Sequence, residues 1–342
     1  MHFLERAWYQ KAGWLVILWP VAKLIQILAL IRKQLHSRKS RTTRAARPVV
    51  VVGNITVGGT GKTPLIIKLG KILQDSGLKP GVISRGCLGK APAYPFSVNQ
   101  FSDVNEAGDE ALLIVRALNC PMVIDPNRRR ALEKICSDFK CDVILSDDGL
   151  QHYALPRDLE IIVVDGERLF GNEMCIPAGP LREPVSRLNK VQYVVINGPM
   201  HQDTDLPALQ KAASMSLEPT FLINLLSKEK KPFRGAPFNI GATIHAVTGV
   251  GNPKRFFEAL SKLPYKLERH DFPDHHPFTA QDFENLGIDE RQPIVMTEKD
   301  AVKCKRFAKP NFWFLAITTK LPDAFQQSVL SDIKQLCAER KN

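Results

Sequence analysis

The sequence predicts an α/β protein built on a P-loop NTPase-like, doubly wound parallel sheet. A smaller C-terminal α/β unit and an N-terminal membrane-associated helix complete the expected fold. Three observations carry this reading. Short apolar runs alternate with stretches of helical period, which is the pattern of βα units in a parallel sheet. One of these runs leads into a Gly-rich turn, then GKT, then a helix. The 342 residues are 44% hydrophobic and 24% charged, as in ordinary globular proteins, and suffice for about two domains. This composition excludes a disordered chain, and a single long apolar segment excludes a polytopic membrane protein.

The N-terminal element is justified by charge and hydropathy together. The net charge is +12, yet residues 1–47 hold ten Lys/Arg against one acid, Glu5, so the body is nearly neutral. Basicity confined to one end argues against a nucleic-acid partner, which asks for cations spread over the body. Trp14 to Ile31 read WLVILWPVAKLIQILALI. As one helix this run rises about 27 Å, barely the thickness of a bilayer core, with Lys23 and Pro20 inside it. Seven Lys/Arg and no acid follow between Arg32 and Arg47. An apolar segment with a polybasic flank is a two-signal membrane attachment. Spanning and lying in the interface both fit. The charges follow the apolar core and no A-x-A-like site is present, so a signal peptide is disfavoured.

The next elements form the nucleotide-binding core. Pro48 to Gly53 (PVVVVG) is a strand buried on both faces, and LIIKLGKILQDSG reads as an amphipathic helix closing at Gly77. Between them stand Thr56, Val57, Gly58, Gly59, Thr60, Gly61, Lys62 and Thr63. In such a loop glycines turn backbone N–H groups towards phosphate, Lys62 reaches the β- and γ-phosphates of ATP, and Thr63 ligates Mg²⁺. Thr56 replaces the usual first Gly. Further strands are expected at 79–84, 121–125, 141–146, 159–165 and 191–197. The second unit should hold strands near 243–248, 293–297 and 312–317 and a helix from about 322. The predicted divisions are 1–47, 48–235 and 236–342.

Acidic groups supply the rest of the chemistry. CDVILSDDG ends a strand in Asp147 and Asp148, a Walker B-like arrangement in which one carboxylate meets the metal. Asp109, in GDE ahead of ALLIVRALN, reads either as a helix cap or as a functional acid. FPDHH places Asp274 beside His275 and His276; an Asp–His pair, a zinc site and a surface turn all fit this segment. Arg128 to Arg130 can receive an anionic substrate or start a solvated helix. The seven cysteines, at 87, 120, 136, 141, 175, 304 and 337, form no CxxC, as expected of free thiols in a reducing compartment.

Taken in order, GNITVGGTGKTP (53–64), SRG (84–86), GDE (108–110), DDGLQH (147–152), PAGPLREP (177–184), VTGVGNP (247–253), FPDHH (272–276) and TEKDAVK (297–303) resemble the tetraacyldisaccharide 4'-kinase family of Gram-negative bacteria. The resemblance covers nearly the whole chain. It implies transfer of the ATP γ-phosphate to the 4'-hydroxyl of a tetraacylated glucosamine disaccharide 1-phosphate in lipid A biosynthesis, at the cytoplasmic face of the inner membrane. It also implies roles. Asp109 is the acid/base group paired with His275, with Asp147 and Asp148 as Mg²⁺-site and active-site acids. Arg128, Gln151, His152 and Arg182 are candidate substrate contacts. Cys87 and Leu150 stand where relatives often have Tyr and Phe. No obligate protein partner is evident. A membrane-associated P-loop NTPase switch or metallochaperone is the rival reading, although no additional Lys stands near Val57.

Overall fold

The computed structural model describes residues 3–40, 45–200, 205–235, 237–239 and 241–340. The apolar N-terminus does not form one continuous helix. Helix α1 (Phe3–Tyr9) is followed by a 3₁₀ segment, Gly13–Leu18, and then by α2 (Trp19–Ser40). Pro20 lies in the first turn of α2, where its missing N–H breaks no intrahelical bond, so it starts a helix rather than kinking one. From Trp19 to Ile31 the apolar part of α2 rises only about 20 Å, short of the ~30 Å hydrocarbon core. No helix among the described residues is long and apolar enough to cross a membrane. Ala22 is buried, Gln26 and Ala29 are half-buried, and Gln26 hydrogen-bonds Cys175. This stripe docks α2 on the body. Val21, Leu24, Ile25, Ile27, Leu28 and Ile31 are 44–58% exposed. Arg41 and Arg44 of the basic flank lie outside the described residues.

From Val49 the chain alternates strands and helices. In order come β1 (Val49–Gly53), α3 (Lys62–Asp75), β2 (Pro80–Ser84), β3 (Phe96–Val98), α4 (Val104–Ala107), α5 (Asp109–Leu118), β4 (Met122–Ile124) and α6 (Arg128–Asp138). Then follow β5 (Val143–Asp147), β6 (Leu159–Asp165), β7 (Tyr193–Asn197), α7 (Pro207–Gln210) and β8 (Ala213–Asn224). The strand order is β8-β7-β6-β1-β5-β2-β4-β3. Only β3 runs antiparallel to its neighbour here. All residues of β1, β2, β5 and β6 are buried, which explains their unbroken apolar runs. Strands are added outward on both sides of β1, so its carboxyl end opens on the crevice where doubly wound sheets take their ligands.

The second unit holds the rest of β8, β9 (Lys230–Pro232), β10 (Thr243–Thr248), α8 (Lys254–Leu260), β11 (Lys266–Asp271), α9 (Ala280–Asn285), β12 (Ile294–Thr297), α10 (Glu298–Cys304) and β13 (Phe312–Lys320). Its order is β11-β10-β12-β13-β8, with β9 on β8. The final helix, α11 (Asp323–Glu339), belongs to the first unit. The two compact units are residues 1–216 with 320–342, and residues 217–319. The boundary expected at 235 therefore moves to 216, the N-terminal segment joins the first unit, and the last residues return to it. The physical reason for the return is specific. Ile333 is fully buried, the Tyr193 hydroxyl donates to Asp332 Oδ2 at 2.8 Å, and Arg340 pairs with Asp158 at 2.5 Å.

Candidate active site

The loop after β1 is shaped by its neighbours. Gly61 is the N-cap of α3 at φ 98°, and a Cβ there would lie 2.5 Å from Asn197 Nδ2, so only Gly fits. Asn197, at the end of β7, donates through Nδ2 to the Thr60 carbonyl at 3.0 Å. On the other flank, Val57 N donates to Pro180 O at 2.9 Å and Arg182 N to Ile55 O at 2.6 Å. PAGPLREP thus lies along the loop as an irregular partner strand. Arg168 Nη2 donates to Gly59 O at 2.8 Å, while its other nitrogens reach Asp165 and Glu5 of α1 at 3.5 Å. The Tyr9 ring lies under the same guanidinium, and Trp8 Nε1 donates to Pro177 O at 3.0 Å. No side chain caps α3, whose amide end and partial positive charge suit a phosphate.

Strand register brings the acids to this loop. Val52 pairs with Asp147 across β1 and β5, and Ile83 with Ser146 across β2 and β5. Ser84, the first residue of SRG, therefore reaches Asp147 and donates from Oγ to Oδ2 at 3.1 Å. Burial, then the charges of Glu110 and Asp148, push the Asp147 carboxyl up to about 7. Asp148 differs. Burial acts to raise it, but Lys62 at 3.7 Å and Arg182 at 2.9 Å outweigh burial and hold it below the ordinary range. Lys62 Nζ also donates to Asn54 Oδ1 at 3.2 Å. One Oδ1 on each acid is buried without a hydrogen-bond partner. Such hard oxygen donors suit Mg²⁺.

The candidate substrate contacts divide. Gln151 Nε2 donates to Glu183 Oε1 at 2.8 Å and to Asn54 O at 3.3 Å, bridging DDGLQH to the loop and to PLRE. Arg128 is buried, and donates to the carbonyls of Asp125 at 2.9 Å and Asp147 at 3.3 Å. Its place is behind the acids, and burial lowers its pKa to about 10. His152 is kept neutral, first by burial and then by Arg128 and Arg85, which bring it down to about 4. Asp109 begins α5, is 5% exposed, and accepts from Glu110 N through Oδ1 at 2.8 Å. The N-cap of α5 is Gly108, with no side-chain cap bond, so the cap reading fails and Asp109 stands as a buried acid in the first turn.

His275 lies in the second unit. It takes a left-handed conformation (φ 61°), and its amide donates to Gly249 O at 3.0 Å. Lys299 Nζ stands 3.3 Å and Asp274 Oδ1 3.8 Å from His275 Nε2. His276 instead pairs with Asp282 at 3.2 Å and packs on Phe272 and Phe278. Asp300 organises the motifs around them. It accepts from Thr297 Oγ1 (2.6 Å), Thr248 Oγ1 and Gly249 N (both 3.1 Å), and Lys303 Nζ (2.9 Å). Asn54, Ser84 and Asp300 fall within the motif segments 53–64, 84–86 and 297–303 without an assigned role, and Arg168 and Asn197 stand in none of them. The T-x-x-D spacing of Thr297 and Asp300 is an additional local sign of a helix start.

The family model for tetraacyldisaccharide-1-P 4'-kinase matches residues 14–334. A tetraacyldisaccharide 4'-kinase of Hahella chejuensis is 42% identical over 99% of both chains. One from Haemophilus influenzae is 44% identical, over 94% of this chain and 93% of that one. A crystal structure of the Aquifex aeolicus family member in complex with ATP superposes with a TM-score of 0.71 at 24% identity, over 94% of this chain and 99% of that one. With its P-loop, its paired strand-end acids and a match running from the apolar N-terminus into the last helix, the chain belongs to the tetraacyldisaccharide-1-P 4'-kinase family.

Proposed function

We propose that the protein transfers the γ-phosphate of ATP to the 4'-hydroxyl of a tetraacylated disaccharide 1-phosphate while attached to the cytoplasmic face of the inner membrane. The observation that carries this reading is the convergence of Lys62, Asp147 and Asp148 at the uncapped amino end of α3. Phosphoryl transfer asks for positioning and charge neutralisation, which such a constellation supplies. Lys62 and the loop amides hold the triphosphate. Thr63, Asp147 and Asp148 would hold Mg²⁺, which when bound neutralises charge on the β- and γ-oxygens. Arg182 keeps Asp148 ionised, and Ser84 fixes one oxygen of Asp147. Asp109 accepts the proton of the sugar hydroxyl. Gln151, His152 and Arg182 line the acceptor side; Arg128 acts behind them by anchoring the Asp147 carbonyl.

The exposed apolar face of α2 with the basic flank supports interfacial attachment. Each methylene of an acyl chain drawn out of the bilayer costs about 0.8 kcal/mol, so a kinase that works at the surface avoids that loss. The test is transfer of labelled γ-phosphate to detergent-dispersed tetraacyldisaccharide 1-phosphate by wild type and Asp109→Asn. Labelled lipid from wild type and a loss of about 10²-fold or more in the variant are expected, the range for a general base. Label released only as inorganic phosphate would overturn the lipid-kinase reading in favour of the NTPase switch. Undiminished transfer by the variant would remove Asp109 as the base.

A further inference from the structure

Outside the phosphate site, one group of side chains is arranged like a ligand set. β10 and β11 run parallel, with His245 paired to Glu268. Side chains alternate across a strand, so His270, two residues beyond Glu268, lies on the same face of the sheet. His245 Nδ1 is 3.0 Å from His270 Nε2 and 3.5 Å from Glu268 Oε2, and one donor atom from each of the three falls within 4.8 Å of the others. Four-coordinate zinc with Zn–N near 2.05 Å sets its ligand atoms about 3.3 Å apart, so these spacings suit a shared ion.

The surroundings prepare the donors. His245 is buried, and its Nε2 lies 2.9 Å from Gln292 Oε1. A carbonyl oxygen there accepts a hydrogen bond from Nε2–H, which leaves the Nδ1 lone pair facing His270 and Glu268. An outer hydrogen bond that fixes the tautomer of a ligating histidine is the usual support of a metal site. Glu268 gives Oε1 to Lys266 at 2.9 Å and keeps Oε2 for the histidines. Arg269 points to the other face, over the Phe257 ring.

We propose that His245, Glu268 and His270 bind one zinc-class divalent transition metal in the second unit, with water completing the coordination. Two imidazoles and a carboxylate select zinc, cobalt, nickel or copper over magnesium, which prefers oxygen ligands. The ion clamps the edge strand β11 to β10. β11 ends at Asp271 and runs directly into the segment carrying His275, so the clamp fixes the base of that segment.

The experiment titrates the full-length protein with Co²⁺ and Zn²⁺ in excess Mg²⁺, following cobalt d–d absorption and zinc calorimetry. Cys87, the exposed thiol, is replaced by Ser in every sample to remove a competing ligand. One equivalent bound, a cobalt spectrum without a thiolate charge-transfer band, and at least tenfold weaker binding in His270→Ala and in Glu268→Gln are expected. Both substitutions fall at partly exposed positions, and a zinc-induced rise in melting temperature should appear only in the unsubstituted ligand set. No stoichiometric binding would reduce the cluster to a His–His–Gln hydrogen-bond chain. Binding retained in both variants, or a thiolate band, would place the metal elsewhere. Either result overturns the site, and neither depends on kinase activity.

Discussion

Lys62 touches Asn54 and Asp148 and stands where a triphosphate places its charge. Lys62→Ala should lower kcat/KM for phosphate transfer by about 10²- to 10³-fold, the loss typical of a positioned electrostatic group. Unchanged circular dichroism would show that the effect is local. Asp147 gives a pH prediction of definite sign. Its ordinary value is 3.8, and burial raises the folded-state value to about 7. Between those values the folded protein binds the additional proton, so this group's contribution to stability falls as pH rises through the window. Asp147→Asn abolishes that titration. In metal-free protein, the melting temperature of the variant relative to wild type should climb from pH 4 to pH 7 and level off above. A difference independent of pH would show that Asp147 titrates as an ordinary carboxylate. Lys62, Asp147 and Asp148 were legible in sequence because chemistry demands them at fixed spacing after a strand. Asn197 and Arg168 were not, because strand order alone decides which distant residue reaches the loop.

At the scale of elements, α1 meets the phosphate loop through the packing of Val57 on the Ala7–Trp8–Leu15 cluster and through one guanidinium. Arg168 holds the Gly59 carbonyl while Glu5 and Tyr9 hold Arg168. Arg168→Ala should raise the KM for ATP several-fold with a smaller change in kcat, and Arg168→Lys should restore part of it. A kcat loss without a KM change would point instead to a role in the chemical step. α2 makes a different prediction. Leu24→Glu with Leu28→Glu alters two exposed positions. Each Leu lost from an apolar interface forfeits about 1.5–3 kcal/mol, so vesicle cosedimentation should weaken about 100-fold or more. ATP affinity in detergent should stay unchanged. The central strands were visible from their unbroken apolar runs. β8 and β11 were not: Pro219 interrupts the first, and the second is a charged edge strand whose solvent-facing positions leave no hydrophobic signal.

The whole molecule is a first unit with the second inserted before its last helix. Two-domain composition was readable from length, but the boundaries were not. No Gly- or Pro-rich linker marks residue 216, where β8 simply runs on, and only the packing of α11 shows which unit residues 320–342 complete. Ile333→Ala should therefore destabilise the first unit by about 2–5 kcal/mol, the range for truncating a buried Ile. Hydrogen exchange should show the loss of protection in α3 and in β6 to β7 rather than in β10 to β13. Greater exchange confined to the second unit would contradict the assignment of α11.

The insertion also sets an order of events on the ribosome. Domains fold as units while the chain emerges, amino end first, at about 5–20 residues per second. The segment 217–319 is finished and free to fold before α11 exists, whereas the nucleotide-binding part, though made first, must wait for residues 320–342. A nascent chain therefore carries its exposed α2 face for most of its synthesis beside a core still lacking one wall. Engagement with lipid can precede completion of the kinase.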